Sequence, residues 1–225
     1  MRLLAIDTSS SACSVALRVG ERTTERHVVE PREHTKILMP MIAGLLDDEG
    51  IAVRDLDAIV LGNGPGSFIG MRIGASVAQG LCHAANLKII PVSSLAAVAA
   101  EAMAEHGAEY VVVAQDAHMH EVYVGYFHAG AGRLPVSESA EAIVPAAALQ
   151  GVSPRYQAAG DAWNRYPSFL EANAAIVDRL LGLPFPRARF VLEIGAAHAA
   201  DAVDPASLIP AYLRTKVAER PDTRA

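Results

Sequence analysis

The sequence predicts a mixed α/β fold built from two related lobes. Apolar strand-like runs alternate with helical periodicity up to about residue 106, the pattern of a sheet flanked by helices. A second opening then repeats the first. YVVVAQD (110–116) is an apolar run ending in Asp, as LLAID (3–7) is, and HEVYVGYF (120–127) follows it as SACSVALRV (11–19) follows the first. At 225 residues, 52% of them hydrophobic, the chain is long enough to bury a core in each of two small lobes.

In order, Leu3–Ile6 is a buried strand ending at Asp7, and 11–19 alternates so that Cys13, Val15, Leu17 and Val19 share one face. ERTTERHVV (21–29) completes a three-stranded meander after a tight turn at Gly20-Glu21. In HTKILMPMIAGLLDDEG (34–50), Ile37, Leu38, Met41, Ile42, Leu45 and Leu46 recur at helical spacing in one wide stripe. Pro40 either bends that helix or marks a late start in its first turn, and Gly50 stops it. The acidic cluster at 47–49 is unfavourable for the helix dipole. Ala58–Leu61 is a strand, GNGPGSFIGMRIG (62–74) a glycine loop, and a helix runs from about Gly70 to Ala85. Leu87–Val92 is a strand, and 93–106 an alanine-rich helix with Ser93 as N-cap.

The second half is less marked after residue 130. GAGRLP (130–135) reads as a turn, 141–151 as a short strand and short helix, 155–161 as a strand, 186–202 as a helix and 218–225 as a frayed terminus. The division expected is an N-terminal lobe over 1–106 and a smaller, degenerate one over 107–225.

A net charge of −6 makes the chain a poor stand-alone binder of nucleic acid, whose affinity comes largely from phosphate contacts. Cys13 and Cys82 form no CxxC pair, and read as buried thiols in a reducing compartment. MRLLAID has too few apolar residues before Asp7 for a secretory core, and no run nears the roughly 18 residues of a membrane span. A cytoplasmic location is expected.

The candidate chemistry lies in two places. The glycine loop lacks the lysine of a P-loop, yet Gly64, Gly66 and Ser67 could aim amides at an anion; the alternative is a tight strand-to-helix turn. Asp7, Thr8 and Ser9 after the first strand, with Asp116 after its repeat, suit a metal–phosphate site or a self-capped turn. The histidines show no HExxH or HxxxH, and no GxSxG marks a nucleophile. In the helix after the loop, Gly74, Ala75, Ala78 and Cys82 form a small face and Ile73, Val77 and Leu81 a large one. The large face is expected on the sheet, leaving the small one for close helix–helix contact.

These stretches together resemble the TsaB (YeaZ) family of tRNA threonylcarbamoyladenosine biosynthesis. The matching segments are LAIDTSSSACSVAL (4–17), HTKILMPMI (34–42), GNGPGSFIGMRIGASVAQGL (62–81), PVSSLAAVA (91–99), QDAHMHEVY (115–123) and PAYLR (210–214). Ile69 and Met71 depart from the family's GPGSFTGLRIG, and His118 from its Asp-Ala-Arg. The resemblance implies a two-lobed actin/Hsp70/sugar-kinase-like fold, each lobe a ribonuclease-H-like sheet. It implies a non-catalytic subunit that supports the transferase TsaD, with the ATPase TsaE joining, no membrane, and tRNA contacts left to the partners. A homodimer of the isolated chain is compatible with it. The metal-binding HxxxH of TsaD would fall on Ser94 and Val98, so no metal and no other cofactor is expected. The partner interface would comprise His34, Ile37, Leu38, Met41, Ile42, Leu45, Met71, Gly74, Ala75, Ala78 and Cys82. Asp7, Ser9, Gly64, Gly66, Ser67 and Asp116 would be a degenerate nucleotide site. The rival expectation is an active nucleotide-dependent phosphotransferase or hydrolase using Asp7, Ser9, Ser67 and Asp116.

Overall fold

The computed structural model describes residues 1–149 and 154–214. In the first lobe β1 (Arg2–Asp7), β2 (Ala12–Val19) and β3 (Arg22–Val29) form an antiparallel meander. β4 (Ala58–Gly62) and β5 (Ile89–Val92) add in parallel on the other side of β1, giving the order β3-β2-β1-β4-β5. Both faces are covered, so the central strands read as continuous apolar runs. Leu4, Ile6, Cys13, Val15, Leu17, Ile59 and Leu61 face α1 (His34–Asp48) and α2 (Phe68–Ala85). Their neighbours Leu3, Ala5, Ala16, Ala58 and Val60 face the opposite layer.

Helix α1 begins at His34 and runs through Pro40, so Pro40 does not mark a late start. Pro40 and Lys36, whose carbonyl loses its donor, both lie on the exposed side, where the defect is least costly. The helix ends as expected at Gly50. With φ +62°, Gly50 donates to Asp47 O and Ile51 to Leu46 O, the paired closure of a left-handed cap. The acidic end is offset from β3, where Arg26 reaches Asp48 at 2.7 Å and Arg22 reaches Glu49 at 3.1 Å.

The second sheet repeats the first. β6 (Tyr110–Asp116), β7 (Glu121–Ala129) and β8 (Pro135–Ser137) form its meander, and β10 (Tyr156–Ala159) and β11 (Val177–Leu180) add in parallel beside β6. β9 (Ala142–Pro145) also pairs with β7. Read from its third strand, each sheet has the order 3-2-1-4-5, and each first strand ends in Asp. The strand expected in 141–151 is β9; no helix follows over 146–149, and 150–151 lie outside the described residues, as does the expected frayed end at 218–225. Two short helices, α4 (Ala162–Arg165) and α5 (Pro167–Ala172), cap this sheet with the stacked pair Trp163 and Phe169.

Helix α3 (Ser94–His106) starts at Ser93, whose Oγ accepts from Ala96 N at 3.0 Å. Leu95, Val98, Ala99, Ala102 and Met103 pack on the second sheet. Ala97 and Ala100 pack on α6 (Ala188–Ala197) and the first sheet. Helix α6 belongs by sequence to the second half, yet it covers β1, β2 and β4. Its approach is close enough that a side chain at Gly195 would collide with Val60. We predict that Gly195→Leu destabilises the protein by at least about 2 kcal/mol, because a buried β-branched neighbour cannot yield; urea unfolding measures it.

Candidate functional site

The end of β1 is a closed polar knot. Asp7 is 1% exposed. Its Oδ1 accepts from Ser9 N at 2.9 Å and Ser9 Oγ at 2.8 Å, and its Oδ2 from Ser94 Oγ at 2.7 Å. Burial raises the Asp7 pKa above the ordinary carboxylate range, against the opposing pull of these hydrogen bonds. The glycine loop wraps the same knot. Gly64 N donates to Ser94 Oγ at 3.1 Å, Ser67 N to Ser9 O at 2.6 Å, and Gly70 N to Ser67 Oγ at 3.2 Å. A side chain at Gly66 would strike Ser9 O. The amides of Gly64, Ser67 and Gly70 are thus taken by the protein's own oxygens, which is the geometry of a strand-to-helix turn.

The end of β6 is the open counterpart. Asp116 Oδ1 accepts from His118 N at 2.8 Å and Tyr166 OH at 2.7 Å, while Oδ2 lies 3.2 Å from His118 Nδ1 and 3.7 Å from Arg165 Nε. Asp116 N donates to Asp161 Oδ1 at 2.8 Å, and burial pushes Asp161 up to about 6. His118, Met119 and His120 all have φ near +60°. Such left-handed backbone costs roughly 1–2 kcal/mol per non-glycine residue, so the turn is held by its surroundings.

Between the knots lies a cleft of about 830 Å³. Ser9, Gly66 and Ser67 line one side and Asp116, His118 and Met119 the other. The structure thus brings four of the expected nucleotide-site residues to one cleft, Ser9, Gly66, Ser67 and Asp116, while Asp7 and Gly64 stay behind its wall. The tail at 210–214, to which sequence reasoning gave no role, also reaches the cleft through Tyr212, Leu213 and Arg214.

The residues present do not suit a metal of the TsaD type. Ser94 Oγ is bonded to Asp7, and Val98 is fully buried in the apolar layer between α3 and the second sheet. Among the described residues no cluster of three His, Cys, Asp or Glu could hold a metal ion.

The helix faces invert the expectation. Gly74, Ala75, Ala78 and Cys82 face the sheet, not a partner. The helix comes so near that side chains at Gly70 or Gly74 would run into Thr8, whose Oγ1 donates to Gly70 O at 2.7 Å. Leu38, Met41, Ile42 and Leu45 are likewise buried in the chain's own core. His34 and Met71 are buried against the cleft, His34 with Nε2 at 3.1 Å from Ala12 O. Of the expected interface side chains only Ile37 stays partly open. What α1 and α2 turn outward instead is Met39 at 45% exposure, Ile69 at 70% and Pro40, while Ile73, Val77 and Leu81 pack against the core and stay partly open. The exposed Ile69 follows from the departure already visible in the glycine segment.

Asp161 supplies a pH signature. Its folded pKa of about 6 exceeds the ordinary 3.8, so the folded state holds the proton more tightly. The stability of the wild type relative to Asp161→Asn should therefore rise as pH falls through 6 towards 4, and be lost again as pH rises. Urea unfolding at stepped pH reads this; a flat difference would refute it.

Known proteins agree with this architecture. The profile of the family described as "TsaD: tRNA N6-adenosine threonylcarbamoyltransferase" matches residues 28–188. A "tRNA threonylcarbamoyladenosine biosynthesis protein TsaB" from Haemophilus influenzae is 36% identical, with 96% of this chain and 95% of the relative covered. The protein of the same name from Escherichia coli K12 is also 36% identical, over 97% of this chain and 96% of its own. The solved structure "YeaZ from Pseudomonas aeruginosa" superposes with a TM-score of 0.87 at 36% identity, covering 94% of this chain and 99% of that one. With two sheets of one topology, a strand-end aspartate in each and these relatives along nearly its whole length, the chain belongs to the TsaB/YeaZ family, and its fold is the two-lobed actin-like α/β fold.

Proposed function

We propose that the chain acts in tRNA threonylcarbamoyladenosine synthesis as a non-catalytic subunit that binds and supports TsaD, with TsaE joining the pair in the cytoplasm. The observation that carries this reading is the outward apolar face of α1 and α2. Met39 and Ile69 are exposed there, and Ile73, Val77 and Leu81 pack against the core while staying partly open to solvent. Exposed apolar surface of this kind marks an interaction site. The closed Asp7 knot supports the non-catalytic part. A carboxylate tied to two serines behind the cleft wall is poorly placed to carry a catalytic metal, and the neighbouring loop amides are taken. The net charge of −6 fits a subunit that leaves tRNA to its partners. No helix among the described residues is long and apolar enough to cross a membrane.

The rival reading, a nucleotide-dependent phosphotransferase or hydrolase, draws support from the cleft, where Ser9, Ser67 and Asp116 meet. It is weaker because Asp7 does not reach that surface. We expect ATP hydrolysis by the isolated chain to be indistinguishable from buffer. Steady turnover abolished by Asp7→Ala would establish the rival.

The interface is tested directly. Val77→Glu places an unpaired charge on the outward face and should weaken TsaD binding by about a hundredfold or more, with circular dichroism unchanged. Ala78→Glu, one residue on but fully buried, should instead unfold the first lobe. Normal TsaD binding by a folded Val77→Glu variant would move the interface elsewhere.

A further inference from the structure

The tail from Val203 to Arg214 follows neither lobe alone. Val203 closes a two-way backbone bridge with Ile89 at the edge of the first sheet, with bonds of 2.8 and 3.0 Å. Gln79 Nε2 donates to Pro205 O at 2.8 Å, and Leu208 is buried in the core beneath α1 and α2. Asn63 then holds the chain twice: its Nδ2 donates to Ile209 O at 3.0 Å, and its carbonyl accepts from Ala211 N at 3.0 Å. Up to this point the tail is fastened to the first lobe.

The next three residues cross the cleft. Tyr212 packs against Phe68 with the rings tilted and their centroids 5.6 Å apart, and its hydroxyl accepts from Arg72 Nε at 3.1 Å. The Arg72 guanidinium sits 3.6 Å from the Phe68 ring centroid. Leu213 packs against the core of the second lobe. Arg214 Nη2 donates to Ala117 O at 2.8 Å and pairs with Glu121 Oε2 at 2.5 Å, while Nη1 lies 3.5 Å from Met119 Sδ. Two leucines five positions apart are thus seated in two different cores, and an arginine grips the turn that carries three left-handed residues.

We propose that residues 203–214 are a latch that holds the two lobes closed over the cleft and couples the 117–121 turn of the second lobe to the first turn of α2. Helix α3 joins the lobes at the back; the latch joins them at the mouth. Arg214 is its catch, because it is the residue of the latch that makes a charge-assisted contact to the strained turn. Through Tyr212 and Arg72 the same segment grips α2 beside the exposed Ile69, so loosening either end loosens the other. The inference rests on these contacts alone and is independent of the function proposed above.

The test uses the full chain with spin labels at Lys36→Cys and Asn164→Cys, both exposed and on opposite lobes; native Cys13 and Cys82 are buried. Arg214→Ala should broaden the label-to-label distance distribution and speed amide exchange at 117–121 by at least about tenfold, the scale of a lost charge-assisted hydrogen bond. Tyr212→Ala should speed exchange at that remote turn as well as in residues 67–73. Unchanged distances in a folded Arg214→Ala variant would overturn the latch, as would a Tyr212→Ala effect confined to the first lobe. If Arg214→Ala fails to fold, Glu121→Gln decides: it keeps the Ala117 carbonyl contact and removes only the charge pair, and distances and exchange matching the wild type would overturn the proposal.

Discussion

Helix α3 is buried along nearly its whole length, and the arrangement of everything else depends on that. From Ser94 to Met103 only Ala96 is even partly open. A helix apolar on all sides must be covered on all sides. The second sheet takes one face and α6 with the first sheet takes the other, so the two lobes share one element. Alanine dominates because both neighbours approach closely. Glu101 is the exception within this surface. Burial pushes it up to about 7, opposed by Arg187 at 3.6 Å. Arg187 also binds Glu25 on β3, with Nε at 3.0 Å. This bridge fixes where α6 begins. The first amides of α6 are capped across the fold, Ala188 N by Ser14 Oγ at 2.8 Å and Arg189 N by Glu25 at 3.0 Å.

The two strand-end aspartates show how one topology yields two chemistries. Asp7 is enclosed because Ser94, at the start of the shared helix, reaches into its site, and Gly62 leaves room for the carboxylate. Asp116 has no such cover. Its partners come from α4 and the 118–120 turn, and they leave it at the cleft wall. One topology thus closes the aspartate of the first sheet and leaves that of the second at the cleft wall.

Small residues govern the outer helices in the same way. Gly70, Gly74, Ala75 and Ala78 let α2 settle on β1 and β4, with Thr8 bonded to its first turn. Because the small face sits deepest, Ile73 and Val77 are left half-buried at the edge of the core. The exposed apolar residue of α2 is Ile69 in its first turn, which lines the cleft with the segment that crosses it.

Much of this was legible in the sequence because it is local. The 2-residue alternation of β2, the 3.6-residue stripe of α1, Ser93 and Gly50 as helix ends, and the repeated strand-Asp opening are consequences of backbone geometry that nearby residues fully specify. The weaker second half was not legible: α4 and α5 are each under two turns, too short for periodicity to register. Which face of α2 meets the sheet could not be read from its own pattern, since either a small or a large face can be buried and only the distance to Thr8 decides. The sequence by itself determined the element types, the duplicated order and the residues available at the cleft. Tertiary structure alone decided that Asp7 is closed by Ser94, that α6 returns to the first sheet, and that the tail spans both lobes, because each depends on contacts between residues about 90 or more positions apart, where no local rule reaches.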